Sequence, residues 1–222
     1  MASLLTINVI NNSSSTQSFY VFQQPAMFTG GAQVYSNSLF SSSLGSYPST
    51  GSMLTFQAQQ QPYAAIQQAP TYPMVGQSSG FATAVRPIDL APAGGGSAND
   101  WTTASVNPLG LSRAASSPGI QPGTFRITTP VYSPPAIYNI GSAVETNGLA
   151  MVSSFVVANP ASNTDCQPIP KFYVQTGIYT PGLVLNFSQS SVNAAVCDFS
   201  GGQTTMNVTY NMDGTWTVQT RQ

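Results

Sequence analysis

The sequence predicts an all-β protein, an antiparallel β-sandwich or jelly-roll-like domain with a long irregular insertion. Three observations carry that prediction. Helix-forming Lys, Glu, Arg and Leu are scarce, while Gly, Pro, Ser and Thr interrupt nearly every window. Short runs alternate apolar and polar residues with period two. Turn-forming clusters separate those runs. A chain of 222 residues is long enough to bury a core as one β domain over 1–222. It divides by composition into strand-rich stretches at 1–69 and 124–222 and a Pro/Gly/Ser-rich insertion or assembly arm at 70–123.

The first predicted strand is LLTINVI, with Leu5, Ile7 and Val9 on one face and Thr6 and Asn8 on the other. The polar turn NNSSSTQ follows. SFYVFQQ is a second strand, apolar on both faces from Phe19 to Phe22 and therefore central; Pro25 ends it. Residues 33–40 and 51–58 read as two more strands, and YAAIQQA as a strand or a short helical turn. From Pro70 onward prolines break the pattern, and APAGGGSAND is a loop. Strands resume at TFRITT, AIYNI and AMVSSFVVA, followed by KFYVQTG, GLVLNF, VNAAVCDF, TTMNVTY and TWTVQT. In LVLNF, Leu183, Leu185 and Phe187 share a strand face.

The last two strands test a register. With Asp213 and Gly214 as a two-residue loop, Tyr210 would oppose Thr217 and apolar residues would land on opposite faces. With Met212, Asp213 and Gly214 as the loop, Tyr210 faces Trp216 and Val208 faces Val218. Such hairpins place a left-handed residue last, where Gly214 stands. Asp213 is therefore read as a turn residue.

Composition then limits the chemistry. Charged residues make up 5% of the chain, against a typical ~25%, and the net charge is −1. Arg86, Arg113, Arg126, Lys171 and Arg221 are scattered, which argues against nucleic acid. No run of apolar residues is long enough for a membrane-spanning helix, so no membrane insertion is expected. The absence of histidine removes Ser-His-Asp and Cys-His catalysis and histidine zinc sites. No phosphate-binding loop occurs. Asp89, Asp100, Glu145, Asp165, Asp198 and Asp213 are the acids, and no two are favoured as a catalytic or calcium-binding pair. Neither an enzymatic role nor a metal or other cofactor is expected. Cys166 and Cys197 leave two readings open. A disulfide would close a loop of about 32 residues and contribute ~3–4 kcal/mol; the alternative is two reduced, buried thiols. The start MASLLTINVINNSSS lacks the basic and long apolar regions of a signal peptide.

The two ends resemble a known family. TINVINNSSSTQSFYVFQQP is a strand, an Asn/Ser turn and an aromatic strand closing on Gln-Gln-Pro. FYVQTGIYTPGLVLNF, AAVCDFSGGQ and VTYNMDGTWTV supply an aromatic strand, a glycine-tyrosine turn and a terminal Asp-Gly-Thr-Trp hairpin. Together these resemble the RhiA-type, rhizosphere-expressed family of bacterial proteins. The resemblance implies a β-rich protein with no established enzymatic role, linked to bacterial life near hosts or surfaces, and it supplies no catalytic residues.

Two functions fit. One is a structural or self-assembling β protein of a surface, filament or inclusion, whose partners are copies of itself joined by strand edges or the 70–123 arm. The other is a carbohydrate-binding module, since neutral glycans are bound by aromatic faces with amide and hydroxyl partners. Tyr35, Tyr47, Tyr63, Tyr72 and Trp101, in or near irregular segments, are the candidate platform. Either role is expected outside the cell or at its surface, with a cytoplasmic inclusion as the alternative.

Overall fold

The structure, a computed structural model, describes residues 3–30 and 32–221. Its strands are β1 (Leu4–Asn11), β2 (Gln17–Gln23), β3 (Met27–Phe28), β4 (Tyr35–Leu44), β5 (Leu54–Gln59), β6 (Tyr63–Ala69), β7 (Ala82–Pro87), β8 (Trp101–Val106) and β9 (Leu109–Leu111). They continue with β10 (Phe125–Thr128), β11 (Ile137–Thr146), β12 (Leu149–Val157), β13 (Asn163–Gln167), β14 (Lys171–Thr176), β15 (Val184–Leu185), β16 (Ala195–Asp198), β17 (Thr205–Tyr210) and β18 (Trp216–Arg221). Two single helical turns, α1 (Tyr47–Thr50) and α2 (Phe187–Ser190), complete the described elements.

The larger sheet runs β16-β14-β2-β4-β12-β11-β5-β1-β17-β18 and curls into a nearly closed barrel. It forks at β11, which pairs with β6 over Ile137–Ala143 and reaches β5 through Thr146 opposite Ala58. Pairing is antiparallel throughout this sheet except where β17 lies parallel to β1. The second sheet, β3-β13-β10-β8-β9, contains one parallel pair, β8 with β10. The architecture is all-β, with barrel and sandwich features together.

Period-two patterning explains the barrel. Leu5, Ile7 and Val9 of β1 point inward with Phe56, Met206, Val208, Phe172 and Val174, and all are buried. Strand β2 is apolar on both faces because it is covered on both. Phe19 and Val21 join the barrel interior. Tyr20 and Phe22 face outward beneath Tyr173, Leu185 and Phe187. The second sheet packs Phe125, Ile127 and Ala104 against Ile66, Tyr138, Ile140 and Val156 of the barrel wall. At Gly141 the two long strands β11 and β12 approach so closely that a Cβ would lie 2.1 Å from the Ser154 carbonyl oxygen. Only glycine fits there without backbone movement.

Three expectations need correction. The 70–123 stretch is not irregular throughout, because it supplies the short strands β7, β8 and β9. Its 76–80 segment runs along 182–184, with Gly76 N–H donating to the Val184 carbonyl and Ser79 N–H to that of Gly182. Its prolines lie in the connecting loops, except Pro87, which ends β7, a strand that pairs only with β6. GLVLNF is not one strand: β15 holds two residues and Phe187 begins α2. The disulfide is not formed. Cys197 sits in the barrel interior, whereas Cys166 sits between the barrel wall and the second sheet, and both are free, buried thiols. A sheet one strand thick separates those two cores. Burial pushes the Cys197 thiol up to about 12 and the Cys166 thiol further still.

The C-terminal hairpin closes around Met212, Asp213 and Gly214, with Tyr210 opposite Trp216 and Val208 opposite Val218. Asn211 N–H donates to the Thr215 carbonyl at 2.8 Å, and Gly214 takes φ +81°. The Asp213 carboxylate accepts from the Thr215 N–H and hydroxyl at 3.0 and 2.7 Å, which lowers its pKa. That carboxylate fastens a turn.

Candidate functional site

The acidic side chains are all engaged by structural partners. Arg126 grips Asp165 through two hydrogen bonds of 2.6 and 2.7 Å, and Asp100 adds to the field on the same guanidinium. Asp100 also accepts from the Ser117 N–H, and Asp89 from the Asn99 N–H. Lys171 pairs with Asp198 at 2.8 Å. Glu145 accepts a short hydrogen bond from the Tyr63 hydroxyl. Among the described residues no cluster of three or more Cys, Asp or Glu has metal-binding geometry.

The five aromatic residues singled out from the sequence do not form a platform. Tyr35, Tyr63 and Trp101 each open a strand rather than lie in a loop. Tyr35 stacks on Phe155 with ring centroids 5.5 Å apart, and both Tyr35 and Tyr63 pack on the cluster around Ala65 and Val152. The hydrogen bond to Glu145, helped by burial, pushes the Tyr63 phenol up to about 12. The Trp101 indole donates to the Thr128 hydroxyl at 2.8 Å. Tyr47 is exposed at the start of α1. Tyr72 alone of the five lines a groove, a 530 Å³ trough with Tyr132 and three prolines. Aromatic residues at strand starts were drawn into packing that a linear reading cannot see.

A different set of aromatics converges at one end of the barrel. Tyr20 and Tyr179 meet at 4.8 Å between ring centroids, and so do Tyr210 and Trp216. Between and around these pairs lies an open groove of about 420 Å³. Its walls also carry Gln175, Asn186, Gln189 and Asn193, with Thr176, Ser190, Val192 and Gly214. No charged side chain lines it.

Local sequence explains each wall. Tyr20 faces outward because its neighbours Phe19 and Val21 fill the barrel, and burial raises its pKa. Phe19 in turn supports both Tyr210 and Trp216, each edge-on at 5.9 Å. The hairpin register sets those two rings side by side. Asn186 caps α2 by accepting from the Gln189 N–H at 3.2 Å, which presents the exposed Gln189 amide to the groove. The Trp216 indole donates to the Asn193 carbonyl at 2.8 Å and the Gln175 amide to that of Val192 at 3.0 Å. These bonds tie the segment before β16 to β18 on one side and to β14 on the other. One of the two ring pairs, Tyr210 and Trp216, follows from the hairpin pattern. The other requires that the Gly-Ile-Tyr turn fold back over β2, which has no local signal.

The arrangement suits a neutral ligand rich in hydroxyls. Aromatic rings offer flat apolar faces, amides and tyrosine hydroxyls offer donors and acceptors, and nothing in the wall would hold an ion.

No curated protein and no solved structure matches the chain. A family model described as RhiA matches residues 2–221, nearly the whole length. The chain belongs to the RhiA family.

Proposed function

We propose that this protein binds neutral glycans, without chemical turnover, in the groove formed by Tyr20, Tyr179, Tyr210 and Trp216. The supporting observation is the groove's wall: four aromatic and four amide side chains around about 420 Å³, with no charge among them. That volume lies within the ~300–1,000 Å³ common for small-ligand sites. A neutral wall favours a neutral polymer over phosphates, nucleic acids or uronic acids. On this reading the protein works at or outside the cell surface, where such polymers are met. Titration with neutral oligosaccharides by calorimetry tests it. Tyr179→Ala and Gln189→Ala are expected to weaken binding at least tenfold while leaving the circular dichroism spectrum unchanged. Absence of binding across a broad neutral glycan array overturns the reading.

A second reading, self-assembly, is favoured by the rim of β18, which no described strand hydrogen-bonds although β16 stands near it across the seam. The Asn211 to Thr215 bond closes the hairpin, and Asn12 N–H takes the Tyr210 carbonyl toward β1. Antiparallel alternation then turns the main-chain groups of Trp216, Val218 and Thr220 away from β17. Residues Thr217–Arg221 are all exposed, contain no proline and carry one charge, at Arg221. An open rim of this kind can pair with another chain. Val218→Pro removes an outward N–H without breaking the bond ladder to β17. It is expected to abolish any polymers seen by negative-stain microscopy while keeping the fold. A wild-type protein that stays monomeric at high concentration across pH removes this second reading.

A further inference from the structure

Arg86 and Arg113 are distant in sequence, yet they line one open pocket of about 300 Å³. It lies where the end of β7 meets the segment that follows β9. Arg86 Nη2 donates to the Leu111 carbonyl at 3.0 Å, which anchors that guanidinium across from β7 to β9. Arg113 is exposed. Among the described residues the ion pairs are Arg126 with Asp165 and Lys171 with Asp198, so neither pocket arginine is neutralised by a carboxylate in contact. Of the five cationic side chains, two are thus spent on internal pairs and two converge here.

Asp89 is the one carboxylate of the pocket. Its Oδ2 accepts from the Asn99 N–H at 3.1 Å, and its own N–H donates to the Asn99 carbonyl at 2.9 Å. These two bonds hold Asp89 in place and leave Oδ1 open to a ligand. Two arginines and one aspartate give the wall a net charge of about +1, since guanidinium stays protonated and Asp is ionised at neutral pH. That balance suits a monoanion. A dianion would be incompletely compensated and repelled by Asp89. A guanidinium is a planar fork of N–H donors that matches the two oxygens of a carboxylate. An ionised Asp only accepts hydrogen bonds, so it favours a ligand that also brings O–H donors. The buried Ile88 adds an apolar surface, and the volume is at the lower end of the ~300–1,000 Å³ common for small-ligand sites, enough for one sugar ring.

We propose that this pocket binds a uronic acid, with the sugar carboxylate held between Arg86 and Arg113 and a ring hydroxyl donating to Asp89. The site is independent of the glycan reading, since it shares no residue with the aromatic groove.

The test uses glucuronate and three comparison ligands. Glucose keeps the ring and hydroxyls without the carboxylate, cyclohexanecarboxylate keeps ring and carboxylate without hydroxyls, and sulfate is a dianion. Each is titrated into the full-length protein at low ionic strength while the amide shifts of Asn99 and Arg113 are followed by NMR. Glucuronate is expected to bind at least about tenfold more tightly than any of the three, the discrimination that a hydrogen bond to a charged group supplies. Arg113→Gln is expected to erase the advantage over glucose, and Asp89→Asn to reduce the advantage over cyclohexanecarboxylate. Tyr179→Ala, in the aromatic groove, is expected to change neither. Binding of glucose, cyclohexanecarboxylate or sulfate as tight as that of glucuronate overturns the proposal, and so does the absence of any shift with glucuronate. These comparisons on the wild-type protein decide the matter even if a variant fails to fold.

Discussion

The barrel interior and the layer beneath residues 76–80 are both sealed from water, yet they are filled by opposite chemistry. Inside the barrel Phe56, Phe172, Ile7, Leu39 and Val208 interlock, with Phe56 ringed by Phe40 and Phe172 at centroid distances of 5.9 and 5.8 Å. Beneath 76–80, the buried residues Asn37 and Asn139 meet Ser79, which is buried as well. The Asn37 amide donates to the Ser79 hydroxyl at 2.9 Å and to the Val152 carbonyl at 3.0 Å, and the Asn139 amide to the Ser79 carbonyl at 2.8 Å. The oxygens Asn37 Oδ1 and Asn139 Oδ1 are left without protein partners, as is Ser36 Oγ next along β4. The difference teaches where stability and positioning separate. Apolar burial supplies the driving force for the barrel. The polar layer gives little net energy, but its directional bonds fix where the 76–80 segment docks. A chain nearly free of charge thus replaces surface ion pairs with buried amides and hydroxyls.

The largest effect expected from this contrast is at Phe56. Phe56→Ala is expected to destabilise the protein by about 3–5 kcal/mol, read from chemical denaturation, because the barrel cannot close over the lost ring. A loss below about 1 kcal/mol would mean that the barrel interior is not the principal core. The two thiols sharpen the same comparison, since Cys197 belongs to the barrel interior and Cys166 to the space under the second sheet. With both pKa values raised by burial, neither thiol is expected to react with Ellman's reagent at pH 8 in the native state. Both are expected to react after unfolding without reductant. Two unreactive sulfurs in the unfolded chain would indicate a disulfide instead.

Next in size is the hairpin that closes the groove. Gly214 holds a left-handed conformation at φ +81°, which a β-branched residue tolerates poorly. Gly214→Val is expected to lose about 1–2 kcal/mol. It is also expected to weaken glycan binding, because Tyr210 and Trp216 would no longer be held in register. Unchanged melting and unchanged Trp216 fluorescence would separate the groove from the turn. At Ser36, on the other face of β4 from Asn37, the expected effect is smaller and of opposite sign. Ser36→Ala removes a buried hydroxyl that has no partner, so stability is expected to stay level or rise by up to about 1 kcal/mol. A clear loss would show that Ser36 is bound by something other than protein, such as an ordered water.

What a linear reading recovers follows the same division. Strands β1, β17 and β18 are legible because one face is buried and the other is wet, so period two survives in the sequence. Even the Met212–Gly214 loop follows, since only one register keeps Tyr210 and Trp216 on one face. The 70–123 region is not legible for a physical reason. Strands β7, β8 and β9 have few fully buried positions, so no strong alternation marks them, and seven prolines between Pro70 and Pro122 mask what remains. The parallel pairings of β1 with β17 and β8 with β10 join segments with no local signal between them. Tyr20 and Tyr179 illustrate the limit for the groove: 159 residues apart in number, they touch only because the turn before β15 folds over β2.

The smallest expected effect lies at the barrel's rim, where Lys171 and Asp198 face each other across β14 and β16. The Lys171 ammonium first, and hydrogen bonds with Ser200 second, hold the Asp198 carboxyl down to about 2. The unfolded carboxyl titrates near ~3.9. A group whose pKa falls on folding stabilises the native state above the unfolded value, and that contribution disappears as pH falls through the folded value. The window therefore runs from about pH 4 down to about pH 2. Side-chain exposures of 30% for Lys171 and 40% for Asp198 place the pair in water, where screening keeps its worth low. Asp198→Asn is expected to change stability at pH 7 by less than about 1 kcal/mol and to flatten the acid limb of the stability curve between pH 4 and 2. Identical acid limbs in the two proteins would assign the acid sensitivity to the Arg126–Asp165 pair, which is more deeply set in the second sheet and lies outside the barrel altogether.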